Sequence, residues 1–136
     1  MTLCLTYHGV IYSKKNSKRI IINRRTRRPM IVSSQQAKIM ESDMVSQFQA
    51  QLLQTPILLP IATILGKPLK INIMIWQKDQ TRRDLDNQAT SILDALVAAG
   101  VIADDSIKVV QELTVKMVTI DKHNPHAIIE IEGVKQ

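Results

Sequence analysis

"LKINIMIWQKDQTRRDLDNQATSILDALVAAG", residues 69–100, changes its apolar period partway along. Leu69, Ile71, Ile73 and Ile75 alternate with Lys70, Asn72, Met74 and Trp76. Side chains on successive strand residues point to opposite faces, so Leu69–Lys78 is expected as a strand with one buried face. From Asn87 the spacing becomes helical, with Ala89, Ile92, Leu93, Leu96 and Ala99 on one face and Gly100 at the expected stop. The predicted helix has about thirteen residues and a length of roughly 20 Å. Between the two lies "TRRDLDN", where two arginines precede two aspartates at the point of transition.

Working outward, "LCLTYHGVIY" is rich in β-formers and predicts a strand from about Thr2 to Val10. Residues 13–29 hold eight Lys or Arg around the β-prone run Ile20–Ile22, which suggests a basic hairpin or loop. Ser33 and Ser34 are candidate N-caps for a helix to about Leu53, whose core stripe would be Ala37, Met40, Met44, Phe48 and Leu52. Pro56–Pro68 reads as a connection. Downstream, "VIADDS" predicts a turn, Ile107–Ile120 a long strand, "DKHNP" a second turn and "HAIIEIEGV" a closing strand. The order is α+β in one domain over residues 1–136, with the last two strands expected to form an antiparallel pair.

Composition narrows the function. At 136 residues and 45% apolar, the chain can fill one modest core. Its longest apolar stretch, "PILLPIATILG", contains two prolines and is shorter than the roughly 18–20 residues of a membrane span. The first ten residues show no signal-peptide pattern, so a cytoplasmic protein with no membrane partner is expected. Cys4 is the only cysteine, which rules out an intrachain disulfide and a cysteine-based zinc site. His8, His123 and His126 are scattered, so a metal would need oxygen ligands, and none of the three is assigned a catalytic role.

The net charge of +6 is unevenly spread. Residues 1–40 contain nine Lys or Arg and no acid, while residues 84–105 contain five Asp and no base. A basic region suits a polyanion, because neutralising phosphates releases counterions. The candidate DNA-binding residues are Lys14, Lys15, Lys18, Arg19, Arg24, Arg25, Arg27, Arg28, Arg82 and Arg83. Aromatic residues make up 3% of the chain, which disfavours recognition by base stacking, and Trp76 is expected in the core or at a subunit interface.

The acidic segment needs its own explanation. If extended backbone persists to the helix start, Asp84 and Asp86 project to the same side. Two carboxylates so placed repel each other unless a cation lies between them. A helix cap, worth about 0.3–1 kcal/mol in charge–dipole energy, would account for one aspartate. Two of them, preceded by Arg82 and Arg83 and followed by Asp104 and Asp105, point to a hard cation such as Mg²⁺, which favours carboxylate oxygens together with water and phosphate. By itself, Asp104–Asp105 would be an ordinary turn pair.

"RRDLDN", the helix containing "LDAL", the "AAGVIADDS" turn and the strand reaching "VKM" together resemble the RusA family of Holliday-junction resolvases. The basic stretch "KKNSKRIIINRRTRRPMIVSS" resembles the N-terminal segment of that family's phage-encoded members, so the similarity spans nearly the whole chain. The resemblance implies a mixed sheet with two main helices, an intertwined homodimer, and Mg²⁺-dependent cutting of four-way DNA junctions by paired nicks in DNA recombination and repair. It also implies a bacterial host cytoplasm as the setting. Residue by residue, the catalytic and metal-binding carboxylates match Asp84, Asp86 and Asp105, with Asp104 secondary.

One position departs from the family. A lysine commonly stands one helical turn after the second aspartate, and Thr90 occupies that place here. Thr90 can bond a phosphate but brings no charge, leaving Arg82, Arg83 or Lys108 as candidate substitutes. A straight helix would also hold Asp86 and Asp105 roughly 20 Å apart, which suggests composite sites shared between two antiparallel subunits. The rival readings are a non-catalytic nucleic-acid-binding or DNA-packaging protein, and a metal phosphatase that would leave the basic segment unexplained.

Overall fold

The alternation in residues 69–77 places that segment beneath two helices, and the rest of the fold is arranged around it. The computed structural model describes residues 2–12, 18–22, 24–33, 35–54 and 68–134. In chain order the elements are β1 (Thr2–His8), β2 (Lys18–Ile22), β3 (Pro29–Ser33), α1 (Gln35–Gln54), β4 (Leu69–Gln77), α2 (Leu85–Ala98), β5 (Val110–Ile120) and β6 (His126–Gly133). They form an α+β domain with a mixed four-stranded sheet in the order β1-β6-β4-β5. β2 and β3 make a separate antiparallel hairpin, pairing Lys18 with Ser33 and Ile22 with Pro29.

Leu69, Ile71, Ile73 and Ile75 of β4 are buried, as expected, beside Leu5 and Tyr7 of β1 and Ala127, Ile129 and Ile131 of β6. Above them lie Ala37, Met40, Met44 and Phe48 of α1, with Leu52 partly buried, and Ala89, Ile92, Leu93 and Leu96 of α2. Each apolar stripe faces the core at its predicted spacing. The candidate cap Ser33 instead ends β3, and Ser34 and the 55–67 connection lie outside the described residues.

The last two strands do not pair with each other. β4, α2 and β5 form a crossover unit that lays β5 parallel to β4, from Leu69 opposite Val110 to Gln77 opposite Ile120. β6 lies between β1 and β4, antiparallel to both. Burial explains the choice. β6 has Ala127, Ile129 and Ile131 to place in the core and takes a central position, whereas most of β5 is exposed and suits an edge. β5 also begins three residues later than predicted, because the Ser106 carbonyl accepts the N–H groups of Val109 and Val110 at 2.9 and 2.8 Å and closes a turn there.

The two sheet edges are treated differently. At β1, Gln51 accepts the Thr6 N–H at 2.8 Å and donates to the Thr6 carbonyl at 2.6 Å. Gln47 does the same with His8, at 2.8 and 3.1 Å. Two glutamines of α1 therefore satisfy the edge backbone as a neighbouring strand would. At β5, Leu113, Met117, Val118 and Ile120 are exposed, and no further strand is paired among the described residues.

Candidate active site

Gln77 ends β4, and the chain reaches α2 through a short loop built on Asp79. The Asp79 carboxylate accepts the Thr81 N–H at 3.0 Å and the Arg83 guanidinium at 2.9 Å. Hydrogen bonds from Arg83 and then Thr81 hold the Asp79 carboxyl down at about 2. The Arg83 side chain is only 13% exposed and is committed to this loop, while that of Arg82 is 92% exposed, with Nε 3.6 Å from Asp84 Oδ1. The two arginines thus differ in role: one shapes the loop and the other stands in solvent beside a carboxylate.

Extended backbone does not persist as far as Asp86. Asp84 is the N-cap residue (φ −80°, ψ 126°), Leu85 is already helical, and Asp86 lies in the first turn. The helix begins two residues before the predicted Asn87, so the two aspartates are related by the first helical turn rather than by strand alternation. Asp84 makes no side-chain cap hydrogen bond, although it holds the position where an aspartate would normally supply one. A cap hydrogen bond therefore does not account for its carboxylate. Asn87 Nδ2 approaches Asp84 Oδ2 at 3.4 Å, and Asp86 Oδ1 accepts the Asn87 N–H at 2.9 Å. Both acids lie at the positive end of the helix dipole, which favours negative charge.

Thr90 stands one turn after Asp86 and donates its hydroxyl to the Asp86 carbonyl at 2.9 Å. The donor expected to meet a phosphate is thus turned back onto its own helix, a common habit of threonine within helices.

The far end of α2 closes with left-handed Gly100 (φ +78°). Gly100 N–H bonds the Val97 carbonyl at 3.0 Å, and Val101 N–H bonds that of Leu96 at 2.9 Å. This paired closure ends the helix where the sequence predicted. Val101 and Ile102 then enter the core, and Ala103, Asp104 and Asp105 emerge exposed. Asp104 Oδ1 accepts the Asp105 N–H at 2.8 Å. Its carboxyl is held below the ordinary value, first by a hydrogen bond with Ser106 and then by that amide. Asp104 is thus a turn-forming residue, while Lys108 is exposed just before β5.

Asp84 and Asp86 follow the carboxyl end of β4, whereas Asp104 and Asp105 precede the amino end of its parallel neighbour β5. Twelve helical residues, Asn87–Ala98, lie between the two groups, a span of about 18 Å. Accordingly, no group of three or more His, Cys, Asp or Glu able to hold a metal occurs among the described residues of one chain.

Of the basic candidates, Arg24, Arg25, Arg27 and Arg28 are exposed at the turn joining β2 to β3, where Arg27 adopts a left-handed φ of 56°. Lys18 and Arg19 lie on the β2 backbone, and Lys14 and Lys15 fall outside the described residues. Trp76 is half-buried on the sheet face opposite the helices and stacks on His126, with ring centroids 4.3 Å apart.

A buried polar cluster escaped the sequence reading. Gln77 and Gln88 exchange amide hydrogen bonds at 2.8 and 3.1 Å, Gln88 Nε2 donates to the Ile11 carbonyl at 2.9 Å, and Ser91 Oγ donates to the Tyr12 carbonyl at 3.0 Å. A signal was present: Gln77 continues the buried alternation of β4, and Gln88 lies one turn before Ile92 on the buried face of α2.

No helix among the described residues is long and apolar enough to cross a membrane. Among curated proteins, no relative matches the chain. The family described as Endodeoxyribonuclease RusA matches residues 12–132, which takes in the basic hairpin, both aspartate pairs and all but the first strand of the sheet. The chain therefore belongs to the RusA family of endodeoxyribonucleases, which act on Holliday-junction DNA.

Proposed function

We propose that this protein resolves four-way DNA junctions by paired, Mg²⁺-dependent nicks as a homodimer. Each active site would combine Asp84 and Asp86 of one subunit with Asp105 of the other. The observation that carries this reading is the placement of the carboxylates at opposite ends of one helix and one parallel strand pair. A single chain does not gather them, whereas a two-fold partner running antiparallel would.

β5 is a suitable place for that partner. It is an eleven-residue edge strand whose exposed Leu113, Met117, Val118 and Ile120 have, among the described residues, none of the side-chain cover given to β1. A two-fold axis beside the middle of β5 would bring its Asp105 end next to the Asp84 end of the other subunit. Long, flat, apolar edges are usually covered or paired.

The donor set fits a hard divalent cation, since all three proposed ligands are carboxylates and Asp84 makes no cap bond. When bound, the ion would supply an activated water and neutralise charge on the scissile phosphate. Arg82, exposed beside Asp84, is placed to attract the phosphate backbone. The exposed arginines of the β2–β3 turn would grip the flanking backbone without reading sequence.

The test compares a mobile four-way junction with a matched linear duplex, in Mg²⁺ and in EDTA. Paired nicks in the junction, lost in EDTA, are expected. Equal binding of both DNAs with no cutting would instead mark a packaging or binding module. The composite site is tested by mixing Asp86→Asn and Asp105→Asn subunits. Recovered nicking is expected, because the mixed dimer keeps one intact site; no recovery would place each site within one subunit.

A further inference from the structure

We infer that Gln88 and Ser91, supported by Gln77, are positioning residues that fix where the basic segment leaves the fold relative to Asp84 and Asp86. Gln77, Gln88 and Ser91 are the buried polar side chains of the described residues, at 8%, 0% and 2% exposure, and all belong to one cluster. The inference rests on the proposed nuclease reading for its consequence, but not for its geometry.

The cluster has one target. Ile11 and Tyr12 are the last described residues before residue 18, where the basic hairpin begins. Their two carbonyls accept hydrogen bonds from Gln88 Nε2 at 2.9 Å and Ser91 Oγ at 3.0 Å. The Tyr12 N–H points the other way, 3.0 Å from Met40 Sδ on α1. The Ile11 side chain is 2% exposed. This exit point is thus bonded to both helices.

On α2, the anchors lie one turn after the aspartates. Asn87, adjacent to Gln88, reaches Asp84 through its side chain and Asp86 through its N–H. The Asn87 carbonyl also accepts from Ser91 Oγ at 3.2 Å. An unbroken set of contacts therefore runs from the Ile11–Tyr12 carbonyls through the first turns of α2 to both carboxylates.

An apolar core would have packed these positions without needing matched donors and acceptors. A fully satisfied buried network, in contrast, accepts only one arrangement of its members. Gln88 uses its carbonyl on Gln77 and its amide on both Gln77 and Ile11, so sliding residues 11–12 along α2 would leave a buried group unpaired. The point at which the chain leaves the fold toward the basic segment and the proposed cutting groups are thereby held in one register.

The experiment uses the full chain with Gln88→Met and Ser91→Ala, singly and together. Methionine nearly conserves the buried volume while removing the bond to the Ile11 carbonyl. Junction affinity is read at several salt concentrations, and single-turnover nicking at saturating junction. Affinity and salt slope are expected to stay within about twofold, because every basic residue remains, while the nicking rate falls at least tenfold in the double variant. Equal loss of affinity and rate would mean a merely structural role and would overturn the inference.

A second measurement needs no DNA. Spin labels at Thr26→Cys and Ala98→Cys, in a Cys4→Ser background, report the hairpin-to-α2 distance. A narrow distribution that broadens in the double variant is expected, and an unchanged distribution overturns the inference. If the unaltered protein cuts no junction, the functional reading has failed, and this distance measurement alone decides the anchor.

Discussion

Thr90 is a position where the effect of one side chain on rate can be tested without disturbing the fold. Its hydroxyl is bonded to the Asp86 carbonyl, so this position brings neither a positive charge nor an outward donor near the aspartates. Thr90→Lys would add a cation one turn from Asp86 on a half-exposed face and is expected to raise the rate of junction nicking. An unchanged rate in a variant of unaltered melting temperature would show that charge there is not limiting. Two glycines make a separate pair of stability predictions. A Cβ on Gly9 (φ +150°) would stand 2.5 Å from the Tyr7 hydroxyl, so Gly9→Ala must displace a buried ring. That overpacking is expected to cost about 1–3 kcal/mol. A Cβ on Gly100 would meet nothing within 4 Å, so Gly100→Ala is expected to cost only the strain of its left-handed backbone, roughly 1–2 kcal/mol, a strain that Gly9→Ala would carry in addition to its clash. Urea unfolding of both variants checks the order, and a larger loss at Gly100 would contradict it.

At the scale of elements, β1 couples the sheet to α1 through a group that titrates. Tyr7 is 3% exposed, and burial first, then Asp43 and Tyr12, push its phenol up to about 12 from its ordinary 10. Between those values the folded state keeps a proton that the unfolded chain releases. Its contribution to stability is therefore complete below pH 10 and is lost as pH rises toward 12. Tyr7→Phe removes the ionisation, so its melting temperature should move upward relative to the parent between pH 9 and pH 11. A gap that stays constant over that range would remove Tyr7 as the cause. The hairpin β2–β3 makes a different prediction. Its exposed Arg24, Arg25, Arg27 and Arg28 should act as phosphate contacts, so replacing one with alanine should weaken junction and duplex alike and reduce the salt slope by about one. Loss of junction binding alone would instead mean that the hairpin reads shape.

At the scale of the whole molecule, the proposed homodimer rests on the difference between the two sheet edges. Among the described residues β1 is closed by glutamine side chains and β5 is not, and the proposed carboxylates lie at the two ends of β5 and its neighbour β4. Leu113→Lys with Met117→Lys, both exposed in the single chain, should leave the monomer folded and shift sedimentation from dimer to monomer. Nicking should fall in parallel while Asp84, Asp86 and Asp105 remain unaltered. A monomeric variant with full nicking activity would reject the composite site, and a stable dimer would move the interface away from β5.

Much of this was legible in the sequence. Local periodicity determined β4, both helices and their buried faces, because which side chains face the core follows directly from the period of two or 3.6 residues. The stop at Gly100 and the basic character of the hairpin were readable for the same local reason. Strand neighbours were not, because pairing depends on which edge has buried surface to offer; the predicted antiparallel end became a parallel β4–β5 pair with β6 inserted on the other side. The start of α2 at Leu85, with Asp84 as its N-cap, also followed from the loop that Arg83 ties to Asp79. At the site, residue types alone pointed to Asp84 and Asp86 as candidates, since paired acids behind two arginines are chemically unusual, while Asp105 became a candidate only through the family resemblance. Only the tertiary structure showed that Asp84 makes no cap bond, that the Thr90 hydroxyl bonds the Asp86 carbonyl, and that Gln88 and Ser91 bond the Ile11 and Tyr12 carbonyls. Those facts depend on contacts between residues as far apart as Ile11 and Gln88, which no local pattern records.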